Sequence, residues 1–474
     1  MTLRTALAAG LATFAAVALV ASCSDHPVDQ AAPRNTQVLP GDYSGSGPGT
    51  LVAAQPLTTV DPELGGLTAI SARITYVSTS GINDSHPKVT GTVFLPKGNP
   101  PADGWRIIAL GNPGGGIQPD CAPSSSPSLL GLLPTVRLMV AAGYLVAITD
   151  YQGIGLADTY HPYLDSTTEG FNLIDLVRAT RKLVPAASTN WIAVGTGQGG
   201  QAAWAAAELA TDYGGGLRPQ GAVALAPTAA LDWLADAAAA GNLNHDQQLM
   251  LQQYLAAMPR AYPGFPIEDY RRGAAKAHWD TLLACRGPAV ADRAGVLASL
   301  DPHDLGPTTP EATESLRGYL RKTTLPQAPA SAPMLITPGQ PDGLVPPEQT
   351  AAAVDRACAM GDVIDYVTPP TDPDPLGWIT DRFNGTPAPN TCGGAVATST
   401  SATSTSSSTS TTSATPTSTS TTVTPSASNT DTDQTSTTTE RTTADTEQPA
   451  PRTEQPAPRP EQPIPEPPPD GSAG

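Results

Sequence analysis

The chain has 474 residues, of which 51 are proline and 5% are aromatic, and its formal net charge is −18. Binding to a nucleic-acid backbone needs clustered Lys and Arg, whereas pairs such as Arg181 with Lys182 stand alone in this chain, so no nucleic-acid partner is expected. Residues 393–474 contain no Phe, Trp or Tyr and consist largely of Ser, Thr, Pro, Ala, Gln and Glu. Such a segment buries too little apolar surface to offset its ordering entropy, and we expect a disordered tail.

The first residues predict export. Arg4 precedes an apolar run over residues 6–21 that is shorter than the roughly 20 residues needed to span a bilayer. The run ends in Val-Ala-Ser directly before Cys23. A small residue before cysteine resembles the bacterial lipoprotein signal, in which Cys23 is acylated and starts the mature chain. Residues 1–23 are therefore predicted to be a lipoprotein signal that leaves the protein on the outer face of the bacterial cell membrane or envelope. The alternative is an ordinary secretory signal.

The remaining four cysteines have neither CxxC nor His-rich spacing. An even number of cysteines in an oxidising compartment predicts two disulfides rather than a metal site. The residues by themselves leave the pairing open, and neither a metal nor a cofactor is expected. The four cysteines are Cys121, Cys285, Cys358 and Cys392.

Residues 24–48, rich in Pro, Gly, Ser and Asp, predict a linker, and residues 49–392 predict the folded domain. In this domain short runs typical of strands alternate with helical segments, which is the pattern of a parallel sheet. The predicted strands are residues 74–76, 88–95, 105–110, 144–150, 191–194, 221–225, 333–337 and 363–367, and the predicted helices of this alternation are near residues 171–183 and 200–209.

Residues 231–320 differ from this pattern because they are rich in Ala and Leu, helical in period and poor in β-branched residues. We interpret them as a helical insertion, with a cap over about residues 228–325. A sheet that is interrupted by a helical block before its last strands predicts the α/β fold class, with an α/β-hydrolase core and a cap.

Six segments carry a more specific signal, in the order "YLVAITDYQGIG", "HPYL", "FNLIDLVRATRKL", "GTGQGGQAAWAAAEL", "APMLITPGQPDGLVP" and "WITDRFNGTPAPNTC". Together they resemble the secretory lipase family, the lipase A type of α/β-hydrolase, over residues 49–392. The resemblance implies an acyl lipid or ester as the ligand. It also implies that Cys121 pairs with Cys285 and that Cys358 pairs with Cys392.

The nucleophile of this family is a serine at the apex of a strand-turn-helix elbow, in the motif Gly-Tyr-Ser-Gln-Gly-Gly. The chain reads Gly-Thr-Gly-Gln-Gly-Gly over residues 195–200, so Gly197 stands at the nucleophile position. Glycine has no side chain and cannot form an acyl-enzyme. Thr196 comes one residue early, and on so sharp a turn its hydroxyl is expected to point elsewhere.

The general base is also absent from its expected place. The family supplies a histidine from the loop after the last strand, but residues 368–377 contain none, and every histidine of the chain precedes Asp342. Asp342 retains the position of the catalytic acid. Without an imidazole to orient, we interpret it as a carboxylate that caps its loop. His161 is interpreted as a structural residue.

The oxyanion region departs from the family as well. Where the family has His-Gly-Thr-Thr-Gly ahead of a cysteine, this chain has Asn-Pro followed by Gly114, Gly115 and Gly116. The backbone N–H groups of these glycines and of Gln198 could face a carbonyl oxygen, although Pro113 removes one donor. The alternative is a plain turn between a strand and a helix.

These departures favour a lipid-anchored, non-catalytic relative of the secretory lipases, in which the cleft between core and cap binds acyl lipids or esters. Two alternatives remain, an active triacylglycerol lipase or carboxylesterase with displaced catalytic residues and a structural scaffold of the envelope. A bound acyl ligand would favour the binding protein, and ester turnover would favour the enzyme. The Ser/Thr-rich stretch over residues 398–443 resembles glycosylated stalks.

Overall fold

The computed structural model describes residues 37–57, 59–341 and 343–393. The predicted signal with Cys23, the acid position Asp342 and the predicted tail after residue 393 lie outside the described residues. Within the described ranges, no helix combines the length and the hydropathy needed to cross a bilayer.

A nine-stranded mixed sheet forms the centre of the fold, with strand order β1-β2-β3-β5-β4-β6-β7-β8-β9. The pairs among β1, β2, β3 and β5 are antiparallel, and the pairs from β5 through β4 to β9 are parallel. All five side chains of β5 are buried, as expected for a strand covered on both faces. The predicted α/β core is confirmed. The strands are β1 (Leu51–Pro56), β2 (Thr68–Val77), β3 (Lys88–Pro96), β4 (Trp105–Leu110), β5 (Leu145–Thr149), β6 (Ala187–Thr196), β7 (Arg218–Leu225), β8 (Met334–Thr337) and β9 (Ile364–Tyr366).

Helices cover both faces of the sheet because successive strand side chains alternate between the faces. The helices are α1 (Pro62–Leu67), α2 (Leu133–Ala141), α3 (Ser166–Leu183), α4 (Gln198–Tyr213), α5 (Trp233–Ala239), α6 (His245–Ala261), α7 (Gly273–Ala277), α8 (Trp279–Leu283), α9 (Pro288–Ala298), α10 (Pro310–Arg321), α11 (Pro347–Ala359) and α12 (Pro375–Phe383). In β6, Trp191 and Ala193 pack with the cluster that contains α3, α4 and α11, whereas Ile192 and Val194 pack with the cluster that contains α1, α2 and α12.

The predicted helical insertion is present between β7 and β8, where the chain forms α5 to α10. These helices share a second hydrophobic cluster, which includes the fully buried Leu251, Tyr270 and Leu316 and also Tyr163 and Leu164 from the segment before α3. The insertion is therefore a cap whose apolar cluster extends to the core.

Two cysteine pairs lie at disulfide distance. Cys121, in the loop after β4, meets Cys285, directly after α8 of the cap, with Cα atoms 5.6 Å apart. Cys358 of α11 meets Cys392, with Cα atoms 5.2 Å apart. The first pair connects the core to the cap, and the second fixes the end of the described domain to α11.

Two segments differ from the sequence expectation. Residues 37–48, predicted as part of the linker, lie against the domain, because Leu39 N–H donates to the Ala54 carbonyl at 3.0 Å and Asp42 N–H to the Lys182 carbonyl at 2.9 Å. These bonds use backbone groups, which composition does not reveal. The loop expected over residues 368–377 ends early, because Asp374 caps α12 by accepting a 2.9 Å bond from Gly377 N–H.

Candidate functional site

A sharp turn joins β6 to α4, and Gly197 stands at its apex with φ 58° and ψ −121°. The glycines on either side are required by packing. A Cβ on Gly195 would collide with the Gly199 backbone, and a Cβ on Gly199 would lie 2.5 Å from the Gly111 carbonyl oxygen. The turn therefore has the shape of a nucleophile elbow, in which small neighbours allow strand and helix to approach closely.

A side chain at the apex would meet one close neighbour. Apart from chain neighbours, the atom within 4 Å of a Cβ built on Gly197 is the Pro113 carbonyl oxygen, at 3.2 Å, so this carbonyl would have to shift slightly. The positive φ is strained for any residue with a Cβ, as it is at the nucleophile of such elbows. Glycine at this position removes the hydroxyl and avoids both this contact and this strain.

Thr196 does not replace the missing serine in this geometry. It is the last residue of β6 and its side chain is exposed. By strand alternation it lies on the same face as Val194, whose cluster contains Trp378 of α12. Its hydroxyl is therefore on the α12 side of the sheet, one residue before the apex.

The glycine-rich loop presents an acceptor to the apex, namely the Pro113 carbonyl oxygen. The Gly114 N–H donates to Oδ1 of Asn112 at 3.1 Å, so this donor is already engaged. Gly116 lies against the cap-to-core cysteine pair, since a Cβ there would be 2.5 Å from Cys121 Sγ. An oxyanion role for Gly114, Gly115, Gly116 and Gln198 stays a prediction.

A buried polar cluster surrounds the side chain of Gln198, the residue directly after the elbow apex. The side-chain nitrogen of Gln198 lies 3.0 Å from Nε2 of His161 and 2.7 Å from Oε1 of Glu169. Nδ1 of His161 lies 2.9 Å from the Gln152 carbonyl oxygen. An amide NH₂ has two protons, so Gln198 donates one bond to each partner while His161 donates from Nδ1 and accepts at Nε2.

Burial disfavours the charged forms of His161 and Glu169. It lowers the pKa of His161 to about 4, so the imidazole is neutral at physiological pH. Burial also raises the pKa of Glu169 well above its usual range, and repulsion by Asp165 adds to the effect. Since both ring nitrogens of His161 are occupied, it can accept a proton only if Gln198 turns away. The structural interpretation of His161 agrees with this geometry. The sequence analysis did not identify Glu169 as part of this cluster. The one sequence feature that could have indicated it is an acidic residue on the buried face of α3.

The region where a base would be expected is a cavity of about 720 Å³. The segments after β8 and after β9 form its walls, together with the start of α11. Among the described residues, its lining contains the acidic side chains Glu348 and Asp372 and no histidine. Asp342 lies outside the described residues.

A mainly parallel sheet, an elbow between strand and helix and a helical cap define an α/β-hydrolase. The model of the secretory lipase family matches residues 133–391, which is more than half of the chain. The chain therefore belongs to the secretory lipase family.

Solved structures of similar fold include lipase A from Candida antarctica, with a TM-score of 0.60 and 18% identity over 75% of this chain and 86% of that chain. They also include the rice cell wall degrading esterase LipA from Xanthomonas oryzae, with a TM-score of 0.55 and 19% identity over 72% of this chain and 97% of that chain. At these identities the likeness establishes the fold. No curated protein sequence matches the chain.

Proposed function

We propose that this member of the secretory lipase family is an exported, lipid-anchored protein that binds an acyl lipid or ester and does not hydrolyse it. The observation that carries this proposal is Gly197 at the apex of an otherwise well-formed elbow. Acyl transfer at this position needs a side-chain nucleophile, and glycine supplies none.

The surroundings of the apex support the absence of catalysis. The segment after β9 holds no histidine to take a proton, and His161 is neutral with both nitrogens bonded. Pro113 lies next to the apex, since its carbonyl oxygen would be 3.2 Å from a Cβ built on Gly197, and it has no N–H to donate. Nucleophile and base are both affected, so restoring either one alone would not suffice.

Membership of the secretory lipase family supports export and a lipid or ester ligand. The apolar run before Cys23 supports attachment to the outer face of the membrane through an acylated cysteine. Such an anchor would place the fold at the surface from which acyl lipids are available.

The test compares the purified protein with p-nitrophenyl butyrate and p-nitrophenyl octanoate and with a serine-reactive phosphonate probe. We expect no ester turnover above buffer and no labelling by the probe. Extraction of the protein followed by mass spectrometry should recover acyl lipid. Turnover at ordinary lipase rates would establish an enzyme with displaced residues. Absence of both turnover and a bound ligand would leave the scaffold interpretation.

A further inference from the structure

The cysteine pair that joins the core to the cap has a carboxylate beside it. Oδ1 of Asp120 lies 3.5 Å from Sγ of Cys285 and 4.0 Å from Sγ of Cys121. These three atoms all lie within 4.8 Å of one another. Among the described residues, this is the one group of three His, Cys, Asp or Glu side chains placed to hold a metal ion, and the pair Cys358 with Cys392 has no such third neighbour there.

The distances suit a tetrahedral zinc ion. Zinc binds thiolate sulfur at about 2.3 Å and carboxylate oxygen at about 2.0 to 2.2 Å, which places the sulfur and oxygen of one site about 3.5 to 3.7 Å apart. The two sulfur–oxygen distances observed here are 3.5 and 4.0 Å. Two sulfurs of such a site lie about 3.8 Å apart, whereas the sulfurs of a disulfide are bonded to each other. The site can therefore form only after reduction.

The surroundings leave space and access for an ion. Gly116 packs against the sulfur of Cys121, and a Cβ at Gly116 would fill the space 2.5 Å from that sulfur. Asp120 is exposed, which gives a path from solvent. Arg286 donates to the Ala122 carbonyl at 3.2 Å, so a positive charge lies at the same junction of core and cap. This charge offsets part of the negative charge of two thiolates and a carboxylate.

We propose that Asp120, Cys121 and Cys285 bind Zn²⁺ when their disulfide is reduced. The two thiolates and the carboxylate supply three ligands, and water completes the tetrahedron. The ion keeps the core and the cap joined in a chain whose disulfide has not formed or has been opened. The inference goes beyond the proposed function, because it concerns this link whichever ligand the protein holds.

The chemistry balances with a dithiol as the reductant. One thiolate of the dithiol attacks the half-buried sulfur of Cys285, since Cys121 is buried, and its second thiolate then resolves the mixed disulfide. The protein gains two electrons and two protons and carries two thiols, while the dithiol becomes a disulfide. Zn²⁺ displaces both thiol protons when it binds, because the metal ligand is the thiolate. Binding should therefore strengthen as the pH rises.

The test follows Co²⁺, a spectroscopic substitute for Zn²⁺, with the full chain reduced by a phosphine under argon. Thiolate-bound tetrahedral Co²⁺ gives a charge-transfer band in the near ultraviolet and strong visible bands. We expect the reduced wild type to bind one Co²⁺ per chain, Zn²⁺ to displace it, and the oxidised protein to show no bands. Replacing Cys121 and Cys285 by Ser should abolish the bands. Replacing Cys358 and Cys392 by Ser is the matched control and should keep them.

A second variant leaves both cysteine pairs in place. Asp120→Asn changes an exposed side chain and should weaken Zn²⁺ binding by the reduced protein about tenfold or more. Asp212→Asn, at another exposed position, should leave the affinity unchanged. Zn²⁺ should also raise the urea midpoint of the reduced wild type by more than that of reduced Asp120→Asn, because a ligand that binds only the folded state stabilises it.

Several results would overturn the inference. They are the absence of Co²⁺ bands in the reduced wild type, equal Zn²⁺ affinity of wild type and Asp120→Asn, and bands that survive the loss of both Cys121 and Cys285. A reduced chain that does not fold in the presence of Zn²⁺ would contradict it as well. None of these results depends on ester turnover, so the proposed function is tested separately.

Discussion

The side-chain nitrogen of Gln198 lies 3.0 Å from Nε2 of His161, so the residue directly after the elbow apex is fixed to a histidine from the loop after β5. The same nitrogen donates to Glu169, on the first turn of α3. Gly197 at the apex has no hydroxyl, yet the residue after it is held by buried hydrogen bonds. This combination is the physical basis for expecting a folded, intact elbow that does not react.

Gly197→Ser should yield little or no esterase activity, because the new hydroxyl has no imidazole to take its proton and triad members act as a unit. We expect p-nitrophenyl butyrate hydrolysis to stay at the buffer rate, as in the wild type. The serine at positive φ should also lower the free energy of unfolding by about 1 kcal/mol. The double variant Gly197→Ser with Asp372→His restores a base on the loop after β9 and is the comparison in which activity could rise. A gain of several orders of magnitude from the single change would show that another group acts as the base.

Gln198→Leu should destabilise the fold. The substitution removes the donor to both His161 and Glu169, and unpaired buried polar groups cost about 1 to 3 kcal/mol each. We expect a loss of about 2 to 4 kcal/mol in the free energy of unfolding, measured by urea denaturation. Gln220→Leu is the matched control, because among the described residues the Gln220 amide bonds the nearby Arg218 carbonyl and no buried partner. A Gln198→Leu protein as stable as this control would argue against a supporting role for the cluster.

Stability should depend on pH through Glu208. Burial raises the pKa of Glu208 from 4.5 to about 7 in the folded state, although its carboxylate accepts bonds from Gln327 and Ala328 N–H at 3.0 and 3.2 Å. A raised folded pKa means that the protonated form stabilises the fold. This contribution is complete below the unfolded pKa and is lost as the pH rises through about 7.

The expected loss is about 3 kcal/mol in the free energy of unfolding. Because other carboxyls are buried too, the measurement is the difference between wild type and Glu208→Gln in urea denaturation from pH 4.5 to pH 8. In the Glu208→Gln variant the free energy of unfolding should fall less steeply as the pH rises. Glu348→Gln, at an exposed position, should show the wild-type slope. Identical slopes for wild type and Glu208→Gln would contradict the assignment.

Cys23→Ala should release the protein from membranes, because the apolar run before it is too short to span a bilayer. The measurement is fractionation of cells grown with a clickable fatty acid. The wild type should carry the probe and sediment with membranes, and the variant should do neither. Wild-type protein without the probe would favour the ordinary secretory signal.

Peptide mapping under non-reducing conditions should recover Cys121 joined to Cys285 and Cys358 joined to Cys392, as the sulfur positions imply. Replacing Cys121 and Cys285 together by Ser should lower stability by about 3 to 5 kcal/mol, since that bond closes a long loop between core and cap. Any free thiol among the four would show that the pairing is incomplete.

The local pattern of the chain was enough to predict the α/β core, the helical insertion and the elbow. Strands such as Trp105–Leu110 are set by short apolar runs, and the turn at Gly197 is set by the glycines around it. These signals lie within a few residues of one another, so they can be read without knowing the fold. The family resemblance added the pairing of the cysteines. It also showed that Gly197 stands where the family has its nucleophilic serine.

Only the tertiary structure determines which polar groups are buried next to one another. Gln198, His161 and Glu169 come from three separate segments, and neither the neutrality of His161 nor the raised pKa of Glu169 follows from any local pattern. A cavity lined by His161 likewise lies between cap helices and core loops that are far apart in the chain. Hydrogen-bond partners and pKa values depend on burial and on neighbours brought close by folding, whereas secondary structure depends mainly on neighbours along the chain.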